Sequence, residues 1–420
     1  PHIAESWTIN PEGTILDIQL KNNISWHDGT ALTSKDVIYS LDAISNALDS
    51  PYKLCVKNIV SYQATGDYSI RVIYKEAFSG YAYTLYFPII PKHIEDIGNN
   101  PIGTGPYMFE SMMMGKKMEL KSNPNYFKGN PYIDQIEVLV TPDPNSDLYS
   151  FDQGLINVIS TDVIDWEKYA KNKKSRIHEY MTMYYDYIGF NFNKSIFQNG
   201  KVRQALMYGL DRQYLLEKFY LYHGEISDVP VSPFSWLYEP QSKQYDLDVD
   251  KAKELLGGNT HSLKLLVNNE NVQRKEVALA IRKMYSNIGI DLEIEAVDEE
   301  MYMEKLQNKQ YDMVIGGWDL SIIPDLSFLF HSSRAMVGTN YGGYVSGEMD
   351  QLLKDAFTAM DEDTFKTAYS DLQLYIAKEL PYMSLYFKSA ALIINENIKG
   401  DINPHHMNIY DNIYRWYLEE

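Results

Sequence analysis

Apolar Leu16, Ile18 and Leu20 alternate with Asp17 and Gln19, and this period of two predicts a half-buried strand. Ile70, Val72 and Tyr74 repeat the pattern. Between them Thr33 and Asp36 carry the spacing of a capping box. Val37, Leu41, Ile44 and Leu48 follow at helical spacing. Phe87 to Pro91 holds two prolines and closes this unit. The segment Pro101 to Tyr107 is dense in turn formers and marks a crossing between units. Met118 and Leu120 then share one face of a short strand. Further on, Val202, Ala205, Leu206, Gly209 and Leu210 form the stripe of an amphipathic helix.

The strongest pattern covers 263–316. Leu263 to Val267 reads as a strand. Val277, Ile281, Met284 and Ile288 form a helical stripe ended by Gly289. Leu292, Ile294 and Ala296 alternate with acidic residues as a second strand. A helix near Met301 to Leu306 leads to a third strand, Met313 to Ile315. The order β-α-β-α-β predicts a parallel, doubly wound sheet. Ligands of such sheets gather beyond the carboxyl ends of the strands. The residues just after Ile315 are therefore the first candidates for a site.

Composition narrows the function. A chain of 420 residues is long enough for two or three domains. Its net charge of −19 repels phosphate backbones, which argues against nucleic acid, and mildly favours cationic ligands. The single cysteine, Cys55, rules out a disulfide within the chain and reads as an inert, partly buried residue. No apolar run approaches the roughly 20 residues that span a bilayer. The chain opens with Pro1, read as a processed or trimmed start. Tyrosine, at 35 residues, suits a surface that must grip varied ligands.

Catalytic and cofactor signatures do not emerge. Gly103 and Gly105 are followed by Pro106 rather than by a helix start, so they do not form a dinucleotide fingerprint. No P-loop, G-x-S-x-G elbow or H-E-x-x-H spacing is present. His405 and His406 are adjacent and would point to opposite faces of a strand, which is awkward for joint metal ligation. Asp143 and Asp325 stand beside prolines as turn formers.

Several blocks resemble one family in the expected order. They begin with Ala4-Glu5-Ser6-Trp7. Trp26-His27-Asp28-Gly29-Thr30-Ala31-Leu32-Thr33 follows, with Asp36-Val37 just after. Next come Gly103-Thr104-Gly105-Pro106-Tyr107 and Asn123-Pro124-Asn125-Tyr126-Phe127 with Gly129. Gly189-Phe190-Asn191 and Val202-Arg203-Gln204-Ala205-Leu206 continue the series. Asp312 to Pro324 and Tyr344 to Leu352 complete it. Together they resemble solute-binding family five, the oligopeptide, dipeptide and nickel binding proteins of bacterial ABC importers.

The resemblance implies an α/β, two-lobed periplasmic-binding-protein-like fold of type II, with an extra domain on the first lobe. That extra α+β domain would be 1–98. The first lobe would be 99–245 plus 394–420, and the second α/β lobe 246–393. The implied function is the extracellular substrate-binding subunit of an ABC importer, capturing oligopeptides in an interlobe cleft and delivering them to the transmembrane permease. It implies no enzyme, no cofactor, no metal and a monomer. The expected location is the extracellular face of the membrane or the periplasm, with a lipid anchor outside this chain. The alternatives are a nickel-complex or haem binding member, or an enzyme or sensory domain on the same fold.

For the site, the resemblance points to Gly317 and Asp319 as main-chain partners of an extended peptide. Asp319 is the expected partner of the peptide ammonium, with Ser321 the competing aligned position. Trp318 would wall the cleft, and Asn340 and Tyr386 are further candidates. The chain also departs from the family. Members usually carry about fifty more residues before Ala4 within their domain-sized lobes. The segment from Trp318 to Pro324 is one residue shorter than usual. Dipeptide binders place an Arg near Asn268-Asn269, where this chain has none and Arg274 is the nearest, so peptides longer than two residues are expected.

Overall fold

The computed structural model describes residues 2–78, 80–98, 101–164, 166–171, 174–322 and 325–419. Pro1 and Pro324 lie outside the described residues. Contacts group the chain into two units, Pro1–Tyr180 with Ala391–Glu420, and Met181–Ala390.

The first unit opens with strands β1 (Ala4–Ile9), β2 (Ile15–Leu20), β3 (Ile59–Gly66) and β4 (Ser69–Tyr74), paired in the order β1-β2-β4-β3. The alternation read from the sequence is what buries one face. Leu16, Ile18, Leu20, Ile70, Val72 and Tyr74 join Trp26, Leu32, Val37 and Leu41 in a single core. The helix Ser34–Asn46 starts at the expected capping box. Asp36 also reaches forward, accepting from the backbone N–H of Lys92 at 2.9 Å. Leu48 lies past the helix end and is exposed.

The two turn-rich blocks of this unit meet. Gly29 takes a φ of +89°, a left-handed conformation that favours glycine. It closes the Trp26–Thr30 turn, in which the Gly29 N–H donates to the Trp26 carbonyl at 2.9 Å. His27 then spans to the Gly103–Gly105 segment. Its Nδ1 accepts from the Gly103 N–H at 3.1 Å, and its Nε2 lies 3.1 Å from the Gly105 carbonyl. An accepting Nδ1 leaves the proton on Nε2, so the neutral ring satisfies both contacts. Pro101 to Tyr107 lies inside the first unit, where it leads into β5 (Tyr107–Met113), β6 (Lys117–Ser122) and β7 (Gln135–Leu139). Strand β8 (Val158–Thr161) completes this stretch.

The second unit is built on one mixed sheet. Its strands are β9 (Ser175–Phe190), β10 (Gly224–Ile226), β11 (His261–Asn268), β12 (Ile290–Val297), β13 (Met313–Asp319) and β14 (Tyr382–Asn395), in the order β10-β14-β9-β13-β11-β12. Strand β11 pairs in parallel with both β12 and β13, as the β-α-β-α-β pattern predicts. The helices Val272–Ser286 and Glu299–Gln307 make the crossovers. Strand β13 runs four residues beyond the expected Ile315, because it pairs antiparallel with β9 as far as Asp319 opposite Tyr184. The chain passes between the units in β9 and in β14, whose last residues, Ile394 back to Ala391, pair with β8.

Residues 181–245 group with the second unit, whereas the sequence reading places them in the first lobe. Buried cations on two helices of this stretch bond to the second unit. Arg203, in the helix Gly200–Tyr208, donates to the Glu379 carbonyl through Nε at 2.9 Å. Arg212, in the helix Arg212–Tyr220, donates to the Ser384 carbonyl at 3.2 Å. It also forms a 2.5 Å ion pair with Asp228, in which the two side chains are 4% and 0% exposed.

Candidate functional site

The carboxyl ends of β11, β12 and β13 bring Asn268, Val297 and Gly317–Asp319 to one edge of the second unit's sheet. Asn271 caps the helix after β11, its Oδ1 accepting from the Arg274 N–H at 2.9 Å. This sets Arg274 in the first turn, over the edge. Its Nη2 stands 2.6 Å from Oδ1 of Asp186, which lies on β9 directly opposite Gly317. A Cβ at Gly317 would overlap both the guanidinium and the carboxylate, so the ion pair crosses a space that only glycine leaves open.

Asp186 is almost sealed, its side chain 1% exposed. A buried carboxylate needs partners, and it has three. Besides Arg274, Lys388 Nζ lies 3.3 Å from Oδ2, and the Tyr220 hydroxyl donates to Oδ2 at 3.5 Å. Burial works against the charge on Arg274, but the Asp186 carboxylate more than offsets it and holds the guanidinium above its ordinary value.

Successive residues of a strand face opposite sides, so Trp318 points away from this cluster. Its indole lies parallel to the Tyr341 ring, 6.0 Å between centroids and 2° between planes. Phe328 meets it edge-on at 5.3 Å. Asp319 ends β13 and is exposed, as is Ser321. Three polar atoms on this edge are buried without a hydrogen-bond partner: Asn268 Oδ1, Arg274 Nε and Trp318 Nε1. Orphaned buried groups are costly and are expected where a ligand completes the bonding.

Gly317, Trp318 and Asp319 therefore come together as the sequence suggests. Asn340 and Tyr386 do not share their surface. Asn340 is 1% exposed, and both ends of its amide are committed to Tyr344, with Nδ2 donating to the carbonyl at 2.8 Å and Oδ1 accepting from the N–H at 3.1 Å. It shapes the loop that carries Tyr341. Tyr386 is fully buried, its ring 4.8 Å from that of Tyr220. Burial, reinforced by Tyr220, pushes its hydroxyl well above the usual range.

Sequence reasoning missed Asp186, Lys388 and Tyr220. One signal for Asp186 was present: a lone acid in the aromatic and apolar run Tyr184 to Phe190. Arg274 was noted only as the Arg nearest to Asn268. The fold returns it to Gly317, while Asn268 donates through Nδ2 to Glu299 at 2.9 Å. The positions of Asn268 and Asn269 hold no Arg, and Arg274 stands at this edge instead. Among the described residues no group of three or more His, Cys, Asp or Glu is arranged to hold a metal ion, and no helix is long and apolar enough to cross a membrane.

The sequence model of bacterial extracellular solute-binding proteins, family 5, matches residues 1–337. The oligopeptide-binding protein AppA of Bacillus subtilis is 30% identical over 455 residues, covering 99% of this chain and 83% of that protein. The structure of AppA from Bacillus subtilis in complex with a nonapeptide is 28% identical, with a TM-score of 0.71, covering 100% of this chain and 90% of that one. The ABC transporter substrate-binding protein CtaP of Listeria monocytogenes shares the fold at a TM-score of 0.90 and 24% identity, covering 100% of this chain and 91% of that one.

Proposed function

The chain belongs to family 5 of the bacterial extracellular solute-binding proteins, and from that premise we propose that it is the oligopeptide-capturing subunit of an ABC importer. The observation that carries this reading is the likeness to a named oligopeptide-binding protein along 99% of the chain. The site agrees with it chemically. An extended peptide pairs with main-chain groups, which gives affinity without strict sequence preference. The exposed end of β13 offers such groups, beside the aromatic wall of Trp318 and Tyr341.

In this proposal Gly317 and Asp319 take the peptide backbone, and Asp319 takes the ammonium. Asn340 and Tyr386 act by holding Tyr341 and the strand beneath. The protein binds and delivers its ligand to a transmembrane permease without transforming it. It works as a monomer outside the membrane, tethered by a lipid anchor beyond this chain. The segment 1–98 is the extra domain of the first lobe.

The test is direct. Ligand retained through purification is released with denaturant and identified by mass spectrometry, and the refolded protein is titrated with peptides of increasing length. Retained peptides and saturable peptide binding are expected. A retained nickel complex or haem, with no peptide binding, would replace the substrate class. Turnover of the ligand would replace the reading altogether.

A further inference from the structure

Within the cluster Asp186 contributes one negative charge, while Arg274 at 2.6 Å and Lys388 at 3.3 Å contribute two positive charges. Neither cation has another ion-pair partner among the described residues. Lys388 otherwise lies 6.0 Å from the centroid of the Tyr184 ring. Arg274 keeps a buried Nε with no acceptor. The cluster thus holds one surplus positive charge, together with an N–H that still needs an oxygen.

The setting makes that charge matter. Tyr220 donates to the same carboxylate, and the Tyr386 ring packs 4.8 Å from that of Tyr220. The Arg274 and Lys388 side chains are 16% and 23% exposed, so they are largely desolvated yet reachable. Charge interactions are strong in such a place. The chain's overall charge of −19 acts mainly through solvent, where screening cuts it off within about 10 Å. Within the cluster itself the sign is positive, opposite to the mild preference for cations read from composition.

We propose that the Asp186–Arg274–Lys388 cluster recognises a carboxylate of the ligand, so that the transported peptides are those presenting an acid close to their amino end. This rests on the peptide-binding reading above. Gly317 and Asp319 share one face of β13, about 6.6 Å apart at the rise of a strand. A peptide held by its ammonium at Asp319 brings one of two carboxylates to the cluster. One is the side chain of an acidic first or second residue. The other is the terminal carboxylate of a very short peptide.

Calorimetry on the ligand-stripped protein separates the outcomes. The probes are alanine-based pentapeptides with Glu or Gln at the first or second position, and the dialanine dipeptide, each with a free or an amidated C-terminus. Native protein is expected to bind the carboxylate-bearing member of a pair about tenfold or more tightly, as a charge-assisted bond in a desolvated site should. A preference that follows Glu identifies a side-chain acid, and one that follows the free end of the dipeptide identifies a terminal acid. In Lys388→Met, which leaves the Asp186–Arg274 pair in place, the ratio should fall toward parity. Equal binding of Glu and Gln peptides, and of free and amidated ones, overturns the inference while peptide binding stands. A ratio unchanged in Lys388→Met also overturns it. Failure of every peptide to bind removes the peptide reading and this inference with it.

Discussion

The guanidinium of Arg274 and the carboxylate of Asp186 meet 2.6 Å apart over the α-carbon of Gly317, where there is no room for a side chain. Three separate stretches of chain thus meet at one point, on β9, on β13 and in the helix after β11.

Gly317→Ala should therefore break this arrangement. The added methyl must displace the guanidinium or push β13 from β9, an overpacking that costs about 1–3 kcal/mol. Gly347→Ala is the control, since it is exposed at a helix start with nothing within 4 Å of the new atom. Urea unfolding should show the loss for Gly317→Ala alone. Equal stability of the two variants would mean that the crossing is slack.

Asp319→Asn tests the ammonium partner. Its carboxylate is exposed in this structure, so the effect depends on how far a bound peptide desolvates it. A desolvated partner predicts a loss of about 2–5 kcal/mol in peptide affinity, whereas a solvated one predicts well under about 1 kcal/mol. We expect the larger loss for peptides with a free amino end and little change for N-acetylated ones. If acetylation weakens binding equally to both proteins while Asp319→Asn binds normally, the ammonium partner lies elsewhere, and Ser321 is the next position to substitute.

The Arg212–Asp228 pair predicts a stability effect remote from the ligand. Asp228 Oδ2 accepts from the N–H groups of Gln244 at 2.5 Å and Tyr245 at 2.9 Å, so it stays buried when its cation is removed. Arg212→Met should cost about 3–5 kcal/mol, as removal of one partner from a buried pair does. Denaturant titration decides it, and a loss below about 1 kcal/mol would show that the carboxylate escapes to water.

Acid should loosen the first unit before its surface carboxylates respond. Burial lowers the His27 ring from its ordinary 6.5, against the raising effects of the Gly105 carbonyl and Asp28. Burial, helped by Lys128 and Lys21, lowers His2 to about 4. A depressed histidine stabilises the fold above its unfolded value and loses that contribution as pH falls through its folded value. Protonating Nδ1 of His27 also removes the acceptor for the Gly103 N–H. Melting temperature should therefore decline as pH falls below 6.5, and for His2 the decline runs down to about 4. His27→Gln, which does not titrate, should show a shallower decline. An unchanged slope would exclude His27 as a contributor.

The legible parts of the fold were those encoded by neighbours. Leu16, Ile18 and Leu20 announce a strand because alternation is local, and Thr33 with Asp36 announces a helix start for the same reason. Strand β13 looked shorter than it is, since Gly316 and Gly317 carry no apolar signal and the extension depends on pairing with β9. The partners of Asp186 were invisible for a related reason. Arg274 and Lys388 stand 88 and 202 positions away, and nothing in their own surroundings marks them as its counter-charges. Asn340 and Tyr386 read as polar groups available to a ligand, but such side chains also serve inside, where Tyr344 takes up the Asn340 amide and the Tyr386 ring packs against that of Tyr220.

The return of β14 to the first unit has a consequence for the order in which the protein can assemble. One core of that unit joins Leu148, Phe151, Ile159, Trp166 and Tyr169 to Ala391 and Ile393. Another needs Leu392, Ile394, Ile398 and Trp416. The core around Leu16 and Val72 uses only early residues and can close as soon as they emerge. The second unit is a continuous stretch, Met181–Ala390, and can condense next. Domains tend to form in the order in which the chain appears, but here the unit that begins first finishes last. Until the final thirty residues, Ala391–Glu420, arrive, the apolar faces of Phe151 and Trp166 lack their lid. A chain truncated just after Ala390 would be left with a complete second unit and an unfinished first one.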